Sequence, residues 1–170
     1  MRGVTIEQIN VEQEPRWTVE RGSWNRIVQH ALDVYPKEAC GILLNHSEKA
    51  RHIREVYPTK NVSQEDQARR YLVDPNEFID ADKWADEQGL DICGFYHSHP
   101  DHPSAPSEYD RKMAWEGYLY LILSIKDGKF QDARAWVYDS DEEHFGEVMF
   151  KPHPLQPLHQ DTSHPKKHSG

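Results

Sequence analysis

The eight residues "YLYLILSI", Tyr118 to Ile125, form the longest apolar run in the chain. That length falls far short of the ~20 residues an apolar helix needs to cross a bilayer. The run reads as a strand. Behind it, "KDGK" contains Asp127-Gly128, a pair that favours two-residue hairpin turns, and "FQDARAWVY" resumes a strand pattern. The chain is therefore expected to carry an antiparallel pair whose apolar surface other elements must cover.

Those other elements are legible upstream. "SWNRIVQHALDVYP" sets Trp24, Ile27, Val28, Ala31 and Leu32 at helical spacing, with Ser23 as expected N-cap and Pro36 as stop. "ACGILLN" reads as a short buried strand, "RHIREVYPTKN" as a second strand, and "VSQEDQARR" as a polar loop. Tyr71 to Val73 are predicted to end a strand. Asp74-Pro75 then opens a helix bearing Phe78, Ile79, Ala81 or Asp82, and Ala85 at helical spacing, which Gly89 ends. "DICGFYHSH" returns as a strand and "SEYDRKMAWEG" as a short helix stopped by Gly117, with Trp115 expected in the core. "HFGEVMF" adds a final strand. This order predicts an α/β layer fold, a mixed sheet flanked by helices. Residues 1–14 read as an N-terminal arm, 15–150 as one folded domain, and 151–170 as a Pro/His-rich flexible tail.

Charge narrows the partners. Lys and Arg number 20 against 29 Asp and Glu, giving a net charge of −9, which repels phosphate backbones and argues against nucleic acid. A neutral or basic protein tail is steered in more readily. The opening "MRGVTIEQINVEQEP" lacks the apolar core of a signal peptide. With no run long enough for a membrane span, a cytoplasmic location is expected. The two cysteines, Cys40 and Cys93, are too few for a disulfide framework and lie in apolar, strand-like segments. They read as packed thiols in a reducing compartment.

The chemistry concentrates in "GFYHSHPDHPSAPSEYD". Residues two apart on a strand face the same way, so His97 and His99 can lean onto one ion. The proline-rich turn then limits the conformations to be frozen. Ser107 stands at an N-cap position, and Asp110 falls in the first helical turn, where a carboxylate is favoured. Two imidazoles and one carboxylate leave a fourth position open, as in catalytic zinc sites. His102, inside the turn, reads as an exposed loop histidine. Zinc nucleobase deamination would need His-x-Glu and Pro-Cys-x-x-Cys, and neither occurs.

"HSHPDHPSAPSEYD" resembles the His-x-His-Pro, seven-residue gap, Ser-x-x-Asp signature of the JAMM/MPN+ zinc metallopeptidases, and "YPKEACGILL" resembles the segment that supplies their glutamate. The resemblance spans roughly residues 15–150 and is closest to the compact bacterial forms that act on sulfur-carrier proteins. It implies an MPN/JAB, cytidine-deaminase-like architecture with a partly barrel-like sheet. It also implies one Zn2+ held by His97, His99 and Asp110, with water as fourth ligand. Glu38 would be the general base and then acid, and Ser107 the oxyanion donor. The implied reaction is hydrolysis of an amide bond at the C-terminal tail of a ubiquitin-like or sulfur-carrier protein. The alternative is a non-catalytic MPN scaffold that keeps its metal site.

Overall fold

The computed structural model describes residues 16–47 and 51–154. The expected arm, residues 1–14, and all but the start of the expected tail lie outside the described residues. In chain order the elements are β1 (Trp17–Val19), α1 (Arg21–Val34), β2 (Cys40–Asn45), β3 (His52–Ile53), β4 (Glu55–Thr59) and α2 (Pro75–Gln88). They continue with β5 (Asp91–Pro100), α3 (Glu108–Met113), β6 (Leu119–Lys126), β7 (Lys129–Asp139), β8 (His144–Val148) and β9 (Phe150–Lys151).

Six strands form one sheet in the order β4-β2-β5-β6-β7-β8, and a small sheet has the order β3-β1-β9. Within the large sheet only β5 and β6 run parallel, so the chain must cross over between them, and that crossover carries α3. Among the described residues β4 and β8 are free edges. The sheet stays open, so the barrel-like closure implied by the resemblance is not formed.

Alternation along the strands builds two cores. One face sends Leu43, Tyr96, Leu119, Leu121 and Leu123 against Trp24, Ile27, Val28 and Ala31 of α1. The opposite face sends Ile42, Leu44, Phe95 and Tyr120 against Ala81 and Ala85 of α2. The molecule is thus helix on sheet on helix. Strand period then assigns His97 and His99 to the α2 face, beyond the part of it that α2 covers.

Close strand approach explains Gly94. A Cβ built there lies 2.0 Å from the carbonyl oxygen of Leu119, its partner across the parallel β5–β6 pair. Backbone cannot yield as a side-chain tip can. Gly94→Ala is expected to lower unfolding stability by about 3 kcal/mol, the upper end of ordinary overpacking. Urea denaturation of the two proteins checks it; equal midpoints would contradict the packing described.

Several local expectations hold, and others fail for identifiable reasons. Asp74 caps α2 by accepting from the Asn76 amide at 2.8 Å, and Gly89 closes it in the left-handed region at φ 67°. Asp127 and Gly128 both have positive φ, joining β6 to β7 as predicted. Ser23, by contrast, lies inside α1, whose N-cap is Glu20, and its hydroxyl donates to the Arg54 carbonyl at 2.9 Å. "RHIREVYPTKN" splits between two sheets, because β3 pairs with β1 while β4 pairs with β2. Tyr71 to Val73 contribute a single bridge, Asn61 to Val73. The short helix ends at Met113, before Gly117. Trp115 is 57% exposed, with its ring against Phe78 and Phe95 on a groove rim.

Candidate active site

Strand β5 runs without interruption through Pro100, so His97 and His99 share one face and are both buried. Ser107 and Asp110 form a reciprocal capping box at the start of α3. The Asp110 amide donates to Ser107 Oγ at 3.0 Å, and the Ser107 amide donates to Asp110 Oδ2 at 2.8 Å. This box turns the Asp110 carboxylate inward, where it is buried. Three atoms then meet. His97 Nε2 and His99 Nε2 are 3.1 Å apart, and they stand 3.2 and 3.1 Å from Asp110 Oδ2.

That triangle fits a cation. Ligands placed ~2.0–2.1 Å from a tetrahedral ion stand ~3.3 Å from one another. Among the described residues, these three are the His, Cys, Asp and Glu group whose ligand atoms converge in this way. Neither cysteine joins them. Burial pushes both thiols up to about 12, which keeps them protonated, and Cys40 Sγ contacts Thr59 Oγ1 at 3.4 Å. His102 is exposed, as expected for a loop histidine.

Electrostatics within the triangle follow from burial and contact. Burial alone would raise the Asp110 carboxyl, but the charges and hydrogen bonds of His97 and His99 hold it well below the usual carboxylate range. Burial lowers His97 despite Asp110. For His99 burial also acts downward. Asp110 and the Pro103 carbonyl, 2.7 Å from His99 Nδ1, outweigh it and leave the group raised.

Glu38 reaches the same place through strand register. Cys40 pairs with His97 in the antiparallel β2–β5 ladder, and the amide of Ser98 donates to the carbonyl of Ala39 at 3.1 Å. One step further sets Glu38 opposite His99. The residue is 3% exposed, and among the described residues its Oε2 has no hydrogen-bond partner. Burial, partly offset by His99 and reinforced by Asp110, pushes its carboxyl up to about 8.

The sign of the linkage is definite. In the metal-free protein the folded state retains a proton on Glu38 that the unfolded chain releases above its ordinary value of 4.5. The resulting stability is fully present below 4.5 and is lost as pH rises through about 8. Glu38→Gln cannot lose it. The stability of the metal-free wild type should therefore fall relative to that variant between these limits, with a slope approaching ~1.4 kcal/mol per pH unit. Chemical denaturation at a series of pH values checks this. Parallel profiles would show that the carboxyl is not desolvated.

An apolar groove of about 420 Å³ opens beside the triangle, lined in part by Tyr71, Phe78, Ile79, Tyr109, Met113 and Trp115. Tyr71 belongs to both places, since its ring stacks on His97 with centroids 4.4 Å apart. The sequence places Tyr71 at a strand end and gives Asn61 no functional signal. A lone aromatic after a polar loop carries no periodic signal, and the contact arises only in tertiary structure.

With this geometry in place, comparison with known proteins identifies the family. The family of prokaryotic homologs of the JAB domain matches residues 20–139. The chain belongs to it. A desampylase of Haloferax volcanii is 39% identical over 109 residues, covering 64% of this chain and 76% of that protein. A "probable TtuB-protein conjugate cleaving protease" of Thermus thermophilus is 34% identical over 105 residues, covering 62% and 68%. Among solved structures, a JAB1/MPN domain protein of Archaeoglobus fulgidus has the same fold, with a TM-score of 0.51 and 15% identity over 82% of this chain and all of that one. The chain is thus a compact prokaryotic JAB-domain protein. Its similarity to the desampylase and the conjugate cleaving protease supports a hydrolase acting on isopeptide bonds.

Proposed function

We propose that this JAB-domain protein is a zinc-dependent peptidase or isopeptidase acting on the C-terminal tail of a ubiquitin-like or sulfur-carrier protein. One observation carries the reading: three ligand atoms 3.1–3.2 Å apart lie beside a buried carboxyl with an oxygen unpartnered among the described residues. The names of the Haloferax and Thermus relatives support the substrate class.

His97, His99 and Asp110 would hold the ion, whose chemistry when bound is to lower the pKa of water toward ~7 and to polarise a carbonyl. The residues of the chain divide the remaining work. Glu38 takes the proton of the attacking water as the new C–O bond forms. It then passes that proton to the departing amine as the C–N bond breaks. A nearby cation favours the ionised carboxyl, so loading the site prepares Glu38 to act as a base. Ser107 Oγ accepts from the Asp110 amide, and its own hydrogen stays available to donate to the oxyanion. The groove beside the site offers apolar surface to the side chains of a bound tail.

The test is incubation of the zinc-loaded chain with a carrier protein ending in Gly-Gly, joined through that end to a lysine of a second protein. Intact-mass spectrometry should show both components released, the carrier with a free carboxylate, and a chelator should stop the release. Conjugates left whole by a chain that holds one zinc would favour the scaffold alternative.

A further inference from the structure

The two imidazoles are not held in the same way. His99 Nδ1 lies 2.7 Å from the Pro103 carbonyl, a contact that fixes both tautomer and ring rotation. Among the described residues, His97 Nδ1 is buried without a hydrogen-bond partner. Metal-binding histidines almost always have their second nitrogen engaged, and such outer contacts affect metal affinity. Beyond its neighbours in the triangle, the ring contact His97 makes among the described residues is on its face. The Tyr71 ring covers it at 4.4 Å, with the planes 24° apart.

Tyr71 is itself held on both sides. Asn61 donates from Nδ2 to the Arg70 carbonyl at 2.9 Å and accepts from the Leu72 amide at 3.1 Å. The same Nδ2 reaches the Glu38 carbonyl at 3.2 Å, tying the segment that carries Tyr71 to the segment that carries Glu38. The guanidinium of Arg70 lies 4.7 Å from the centre of the Tyr109 ring, next to Asp110 in sequence. Residues 61–73 therefore grip three site-bearing segments together, those of Glu38, His97 and Asp110.

We infer that Tyr71 is a positioning residue, a stacked lid on His97 that replaces the missing hydrogen bond and orients this imidazole toward the ion. The inference rests on the metal site proposed above. It assigns a role to the ring and none to the hydroxyl, so Tyr71→Phe keeps the function and Tyr71→Leu, which keeps bulk alone, loses it.

Zinc affinity, measured by competition with a chromophoric chelator, reads this directly. Tyr71→Leu is expected to bind zinc about 10-fold more weakly than wild type, the lower end of what outer contacts contribute. Tyr71→Phe is expected to match wild type. Equal affinity for wild type and Tyr71→Leu overturns the inference and leaves the metal site standing. A wild-type chain that takes up no zinc overturns both. A second reading needs no variant: in the zinc-loaded wild type, stacking should shift the ring protons of His97 upfield of those of His99 in NMR spectra. Unshifted His97 protons overturn the inference even if Tyr71→Leu fails to fold.

Discussion

Glu38→Gln is expected to lower kcat by about 10³-fold or more while zinc content stays at wild-type level, as a positioned acid–base group contributes ~10²–10⁴-fold. Glutamine preserves the shape of the side chain and can neither take a proton from water nor return one to an amine. The substitution should not disturb the fold. In the metal-free state the carboxyl already prefers its neutral form, pushed up to about 8 by burial, and the amide imitates that form. KM should change little, because the proton moves only on the way to the transition state. Single-turnover cleavage of a lysine-linked carrier, with zinc measured on the same sample, separates chemistry from metal loss. Undiminished turnover would remove Glu38 from the reaction.

Asp110→Ala is expected to remove zinc altogether after dialysis, and hydrolysis with it. The loss should exceed the ~10–100-fold in affinity typical of outer contacts, since a proposed ligand itself is taken away. A second effect accompanies the first. Asp110 Oδ2 accepts from the Ser107 amide, so the variant also opens the capping box of α3, at a cost of about 1 kcal/mol. Ser107→Ala serves as the control, since it removes the Oγ cap and keeps all three ligands. It should retain zinc and lose activity through the oxyanion donor. If Asp110→Ala held stoichiometric zinc, the ligand set would be wrong.

The parts of this site that were legible in sequence are those set by local rules. His97 and His99 share a face because strand period is two, and Asp110 turns inward because a capping box does so three residues after Ser107. Helix α2 was equally readable, since Asp74, Pro75 and Gly89 are punctuation in their own right. Glu38 is different. Fifty-nine positions separate it from His97, and only the β2–β5 register brings the two segments together, so family resemblance alone pointed to it. Tyr71 and Asn61 had no signal of either kind. Trp115 shows the converse error: large aromatics usually enter cores, yet α3 stops at Met113 and leaves this ring on the wall of a groove. The expected barrel-like closure came from the family resemblance, and the described strands form two open sheets instead.

X-ray absorption at the zinc K-edge of the loaded wild-type protein would count what surrounds the ion. The proposed ligand set predicts two imidazole nitrogens with only oxygen beside them, and no sulfur. A sulfur shell at ~2.3 Å, or a third imidazole closing the coordination, would contradict it.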